Sequence, residues 1–181
     1  MVPFAGWEMP IQYPTGILAE ARAVRSSAGI FDISHMGRIE VNGRDAPALM
    51  DLVLTQDVLG LKERRARYAF LCTEEGGIID DGIVYRRGVQ EFLLIPNAAN
   101  TGAVLDLLAG RSPGADAVRI ENVTTQYAMI AHQGPRAAEM LQPLTEVDLS
   151  TVRPFAAADT RVAGTDAYVA RTGYTGEDGF E

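Results

Sequence analysis

Cysteine is nearly absent from this chain. With Cys72 alone, no intramolecular disulfide can close and no thiolate metal site can assemble, which fits a reducing compartment. Histidine is almost as scarce, with His35 and His132 the two present, and no metal site is expected. Basic charge is also in deficit: 16 Lys and Arg against 24 Asp and Glu leave a formal net charge of -8. The longest basic cluster is Lys62-Glu63-Arg64-Arg65-Ala66-Arg67, for which a solvated turn is the better reading. That balance argues against a binder of phosphate backbones, so nucleic acid is not an expected partner. No apolar stretch approaches membrane-spanning length, and Met1 to Pro14 lacks the charged head and apolar run of a signal peptide. A soluble, cytosol-like protein with no membrane partner is the expectation, with a cleaved organellar presequence left open.

What is present is ordinary globular material. Hydrophobic residues at 47% and charged residues at 22% suffice for a core over 181 residues, in one domain or in a small one plus part of another. The three prolines among the aromatics of Val2 to Pro14 predict an extended segment on which Trp7 and Tyr13 pack. Thr15 is placed to cap a helix to about Ser27, with Ile17, Leu18, Ala21 and Val24 on one face and Gly29 as terminator. Ile30 to Val41 is strand material before an Asn42-Gly43 turn. His35 within it reads either as a base or as a hydrogen-bonded structural residue. Asp45 is placed to cap a helix with a stripe of Leu49, Met50, Leu52 and Val53. Tyr68–Tyr85 then forms a hairpin, followed by a strand at Glu91–Ile95, a helix over Thr101–Ala109, a loop over 111–117 and a strand at Val118–Val123. Tyr127–Gln133 is a further strand, in which His132 is expected to satisfy a backbone carbonyl. Pro135 opens a short helix to Leu141, and residues 161–171 hold a last hairpin.

One stretch stands apart: Glu75-Gly76-Gly77-Ile78-Ile79-Asp80-Asp81-Gly82-Ile83-Val84-Tyr85. The two glycines supply a hairpin turn, and the strand that follows carries two adjacent carboxylates among aliphatics. On a period of two, Asp80 and Asp81 point to opposite faces of the sheet. An inward carboxylate costs several kcal/mol unless it is paired, hydrogen-bonded or functional. The pattern leaves open which of the two faces a pocket. Asn97, following Pro96 at a strand end, either caps the turn or reads the donor and acceptor pattern of a heterocycle. The loop Arg171-Thr172-Gly173-Tyr174-Thr175-Gly176-Glu177-Asp178-Gly179-Phe180-Glu181 is neither a dinucleotide fingerprint, nor a P-loop, nor an EF-hand, yet it is too rich in special residues to be mere connection.

Taken together, Phe4-Ala5-Gly6-Trp7-Glu8-Met9-Pro10, Gly29 to Gly37, Gly76 to Asp81, Asn97-Ala98, Gln133-Gly134-Pro135 and Arg171 to Glu181 resemble, in order, the aminomethyltransferase family, the T-protein of the glycine cleavage system. The resemblance implies tetrahydrofolate as cofactor and the lipoylated H-protein as partner. It implies transfer of an aminomethyl group from the lipoyl arm, giving 5,10-methylenetetrahydrofolate and ammonia. Carried over, Asp81 is the catalytic residue, and Tyr68, Asp80, Asn97, Tyr174 and Glu181 are cofactor-binding. The implied fold is α+β, with antiparallel sheets and helices on one face. It comprises two interleaved folate-binding subdomains: residues 1–45 with 125–181, and a ferredoxin-like unit over 46–124. Family members are about twice this length, so the chain corresponds to the N-terminal half, without the C-terminal barrel domain. A cytoplasmic location is implied, or the mitochondrial matrix in a eukaryote. The rival readings are the folate-binding half of a dimethylglycine or sarcosine dehydrogenase, and a non-catalytic folate-binding protein.

Overall fold

The computed structural model describes residues 1–112, 114 and 116–181, so the expected loop over 111–117 lies partly outside the described residues. In chain order the elements are β1 (Val2–Phe4), β2 (Trp7–Met9), α1 (Ile17–Ser26), β3 (Gly29–Asp32), β4 (Ile39–Asn42), α2 (Ala46–Val53), β5 (Arg65–Cys72), β6 (Ile78–Gly88), β7 (Glu91–Pro96), α3 (Thr101–Arg111), β8 (Arg119–Asn122), β9 (Ile130–Gln133), α4 (Ala137–Leu141), β10 (Ala157–Val162), β11 (Thr165–Ala170) and β12 (Gly179–Phe180). The fold is α+β, and every strand pair is antiparallel. Among the described residues no helix is long and apolar enough to cross a membrane.

Two compact units form, Met1–Ile33 with Met129–Glu181, and Ser34–Ala128. The boundaries differ from 45/46 and 124/125. The strand at Ile39–Asn42 is hydrogen-bonded between β7 and β8, and Arg38 takes the Thr124 hydroxyl oxygen on its backbone N–H, so Ser34 to Asp45 goes with the second unit.

That second unit is a five-stranded sheet in the order β5-β6-β7-β4-β8. Its chain order is the β-α-β-β-α-β of a ferredoxin-like unit with one strand added between the helices. Ile39, Val41, Ala69, Leu71, Val84, Phe92 and Leu94 share one sheet face and pack on Leu49, Met50 and Val53 of α2 and on Val104 and Leu108 of α3. Leu52, expected in the α2 stripe, is exposed. Arg65 to Arg67, part of the basic run expected as a turn, opens β5.

The first unit holds the sheet β12-β9-β3 and the β10-β11 hairpin. Its core is Leu149, Val152, Val169 and Phe180, with Ala138 and Leu141 packed against it. The N-terminal segment folds as a hairpin turning at Ala5-Gly6, both at positive φ, and Trp7 and Tyr13 stay exposed instead of packing. The cap of α1 is Gly16 and not Thr15. Gly29 begins β3 instead of ending the helix, and none of the α1 residues is buried.

Candidate functional site

The carboxylate pair sits where the sheet is irregular. Phe70 faces Asp81 and Leu71 faces Asp80, but Cys72 faces Ile78, so Ile79 bulges out of the ladder one residue before the pair. Gly82 follows because nothing larger fits: a Cβ there would lie 2.5 Å from the Ile95 carbonyl oxygen of β7. The two acids then part as the period of two requires. Asp80 shares the face of Leu71 and points into the helix-covered side, where it is 2% exposed. Asp81 shares the face of Phe70 and remains half-buried.

The strand-to-helix corner supplies the donors that make the inward acid tolerable. After Pro96 the chain turns through a short 3-10 segment, Ala98–Asn100, before α3 begins. Residues three apart eclipse in such a turn, so Asn97 and Asn100 present their amides to one side. The Asn97 backbone N–H donates to Asp80 Oδ2 at 2.9 Å, and its Nδ2 donates to Asp80 Oδ1 at 2.9 Å. Asn100 Nδ2 donates to the same Oδ1 at 2.7 Å. With three charge-assisted donors at the head of a helix, the buried carboxylate is compensated by neutral groups.

Asn97 also reaches the outer acid. Its Nδ2 donates to the Asp81 carbonyl at 3.0 Å and to Asp81 Oδ1 at 3.2 Å. Acceptors surround that nitrogen, so the amide can face them only with its NH2, and Asn97 Oδ1 is left without a donor among the described residues. The Tyr68 hydroxyl donates to Asp81 Oδ2 at 2.7 Å. That hydrogen bond, followed by desolvation and by the charges of Asp81 and Asp80, raises the phenol above its ordinary value and keeps it a donor. The face so built carries the half-buried Asp81 carboxylate beside Tyr68, which is 45% exposed.

Tyr68, Asp80, Asp81 and Asn97 are therefore brought into one hydrogen-bonded cluster. Tyr174 and Glu181 belong to the other unit and to its glycine-rich loop. Tyr174 is 80% exposed. Glu181 pairs its backbone with Ala170 in both directions at 2.8 Å, and its carboxylate accepts from the Thr172 hydroxyl.

The loop is fastened by residues that the sequence reading gave no role. Gln133, 1% exposed, donates through Nε2 to the carbonyls of Thr172 at 3.0 Å and Phe180 at 3.3 Å, and takes the Thr175 hydroxyl on Oε1 at 3.0 Å. The chain passes so close that a Cβ on Gly173 would lie 2.1 Å from Gln133 Oε1. Arg171 makes a two-pronged pair with Asp178, donates to the Val152 carbonyl at 3.1 Å, and lies over the Phe180 ring at 5.3 Å. The Asp178 hydrogen bond raises the guanidinium despite partial burial, and Arg171 in turn holds the Asp178 carboxyl below its usual range. His132, expected to satisfy a carbonyl, has a buried Nδ1 with no hydrogen-bond partner among the described residues. Asn100 was likewise missed. Its signal was the three-residue spacing from Asn97 at a strand-to-helix corner.

The comparisons with known proteins cover the whole chain. The model described as GCVT N-terminal domain matches residues 1–181. An aminomethyltransferase of Saccharopolyspora erythraea is 50% identical over 178 residues, 98% of this chain and 48% of that protein. The crystal structure of glycine cleavage system aminomethyltransferase T from Bartonella henselae superposes with a TM-score of 0.89 at 36% identity, over 99% of this chain and 48% of that one. The heterotetrameric sarcosine oxidase from Corynebacterium sp. U-96 shares the fold, with a TM-score of 0.64 at 19% identity over 91% of this chain and 82% of that one. The chain spans about half the length of the curated relatives it matches. On a family model that runs from its first residue to its last, the chain belongs to the GCVT N-terminal domain family.

Proposed function

We propose that this chain is the N-terminal half of an aminomethyltransferase that moves an aminomethyl group from the lipoyl arm of an H-protein to tetrahydrofolate, yielding 5,10-methylenetetrahydrofolate and ammonia. The observation that carries it is Asp81: half-buried at a sheet corner, with each carboxylate oxygen already oriented by one donor.

The corner fits a folate chemically. Its leftover capacity is all acceptor, the Asn97 carbonyl oxygen and the remaining lone pairs of Asp81, which suits a heterocycle rich in N–H groups. When bound, tetrahydrofolate supplies the nitrogens that receive the one-carbon unit. Asp81 orients those nitrogens and takes or shares the proton that their attack sets free. Its negative charge also favours the positive character that develops on the transferred carbon. The Tyr68 ring offers a flat apolar surface beside the acid, and its hydroxyl fixes the rotamer of the carboxylate. For Tyr174 and Glu181, on the glycine-rich loop of the other unit, the family resemblance implies cofactor binding, and a carboxylate such as that of Glu181 is able to accept from adjacent N–H and amino donors at once. The work is cytoplasmic in this reading, or in the mitochondrial matrix of a eukaryote.

The test is Asp81→Asn in the full-length protein. Turnover is expected to vanish while the circular dichroism spectrum is retained, and full activity in the variant refutes the role.

A further inference from the structure

We infer that Asp80 and Asn100 are positioning residues, which set the orientation of the Asn97 amide and through it the Asp81 carboxylate, and that neither touches a ligand. The inference rests on the role of Asp81 proposed above, and it changes the part that the family resemblance implies for Asp80.

Asp80 is 2% exposed and points to the helix-covered face, so a ligand approaching Asp81 from the opposite face does not reach it. Both of its oxygens are engaged by protein: Oδ2 by the Asn97 backbone N–H, and Oδ1 by the side chains of Asn97 and Asn100. Among the described residues only Asn97 is shared between the acids, because its Nδ2 lies 2.9 Å from Asp80 Oδ1 and 3.2 Å from Asp81 Oδ1. An amide whose NH2 is held by two acids has one orientation, with its oxygen turned away from both. Asn100 completes the set. Its 2.7 Å bond holds Oδ1 of the buried acid in place at the first turn of the helix, so Asp80 stays in the rotamer that fixes Asn97.

The experiment follows the Asn97 side-chain amide protons by NMR hydrogen exchange in this chain, together with the kinetics of the full-length protein. In Asn100→Ala, exchange at Asn97 Nδ2 is expected to quicken about tenfold, the order that follows from loosening one hydrogen bond to a charged group. The full-length variant is expected to lose kcat by a similar factor, with KM for tetrahydrofolate held within about twofold, the split of a group that orients without binding. Unchanged exchange overturns the inference. So does a raised KM with kcat preserved, since that marks a ligand contact. If Asn100→Ala does not fold, Asn100→Ser is judged by the same two readouts. Quickened exchange alongside a fully active Asp81→Asn sinks the role of Asp81 and leaves the coupling between the four residues standing, so the two failures are told apart.

Discussion

The Asp80–Asn97 corner and the Arg171–Glu181 loop are both rich in carboxylates, yet they are held by opposite means. At the corner a buried acid is compensated by neutral amides at a strand end and helix start. In the loop two of the acids are paired with arginines near the surface, Arg171 with Asp178 and Arg25 with Glu177, while the buried polar group that fastens it is the uncharged Gln133 of β9. The difference teaches where each region stores its stability. Neutral donors around a buried charge leave that charge available to polarise its neighbours. Exposed ion pairs are screened by salt and contribute little individually.

The loop is the region to break, and Gln133 is where it breaks most. Gln133→Leu keeps the volume but leaves the Thr172 and Phe180 carbonyls without their side-chain donor, so a loss of about 2–4 kcal/mol is expected in denaturant unfolding. A loss under about 0.5 kcal/mol would place the loop's anchor in its ion pairs instead. Asp178→Asn comes next, at about 0.5–1 kcal/mol near neutral pH, because the pair is two-pronged but the acid is nearly half exposed. The sign of its pH dependence is set by the depressed carboxyl of Asp178. Its contribution is present above the ordinary carboxylate value of about 3.9 and is lost as pH falls through the lower folded value. Wild type and Asp178→Asn should therefore converge in acid, and parallel denaturation curves down to low pH would remove the pair from the account.

The smallest effect sharpens the corner. Tyr68, with its phenol raised chiefly by the hydrogen bond to Asp81, is expected to ionise above the ordinary value of about 10. The stability it adds is present below that value and fades as pH rises through the folded one. Spectrophotometric titration of wild type against Tyr68→Phe isolates it, and Asp81→Asn should bring it back toward the ordinary value. A Tyr68 that titrates normally in wild type would mean that the 2.7 Å contact does not persist in solution.

Much of this was legible beforehand. Apolar runs gave β6 and β7, Gly76-Gly77 gave the turn between β5 and β6, and the spacing of Val104 and Leu108 gave α3, because these elements are dictated by local pattern and by glycine's freedom at positive φ. Asp45 stands at the α2 cap as expected, but its side chain makes no cap hydrogen bond. Ile17 and Leu18 show where the same logic fails. Their helix is there, yet both side chains of its apolar face are exposed, because periodicity reports a face and not what meets it.

The sequence by itself determined that Asp80 and Asp81 part to opposite faces, since adjacent residues of a strand must, and its motifs carried the resemblance to the family that the comparisons bear out. Only the tertiary structure decided which acid goes inward, that Asn100 shares its burden, and that Gln133 reaches residues 39 and 47 positions away to hold the loop. Local patterns are written in bond geometry within a few residues. Which donors meet an acceptor across a corner or between strands depends on how distant segments pack, and no window of sequence contains that.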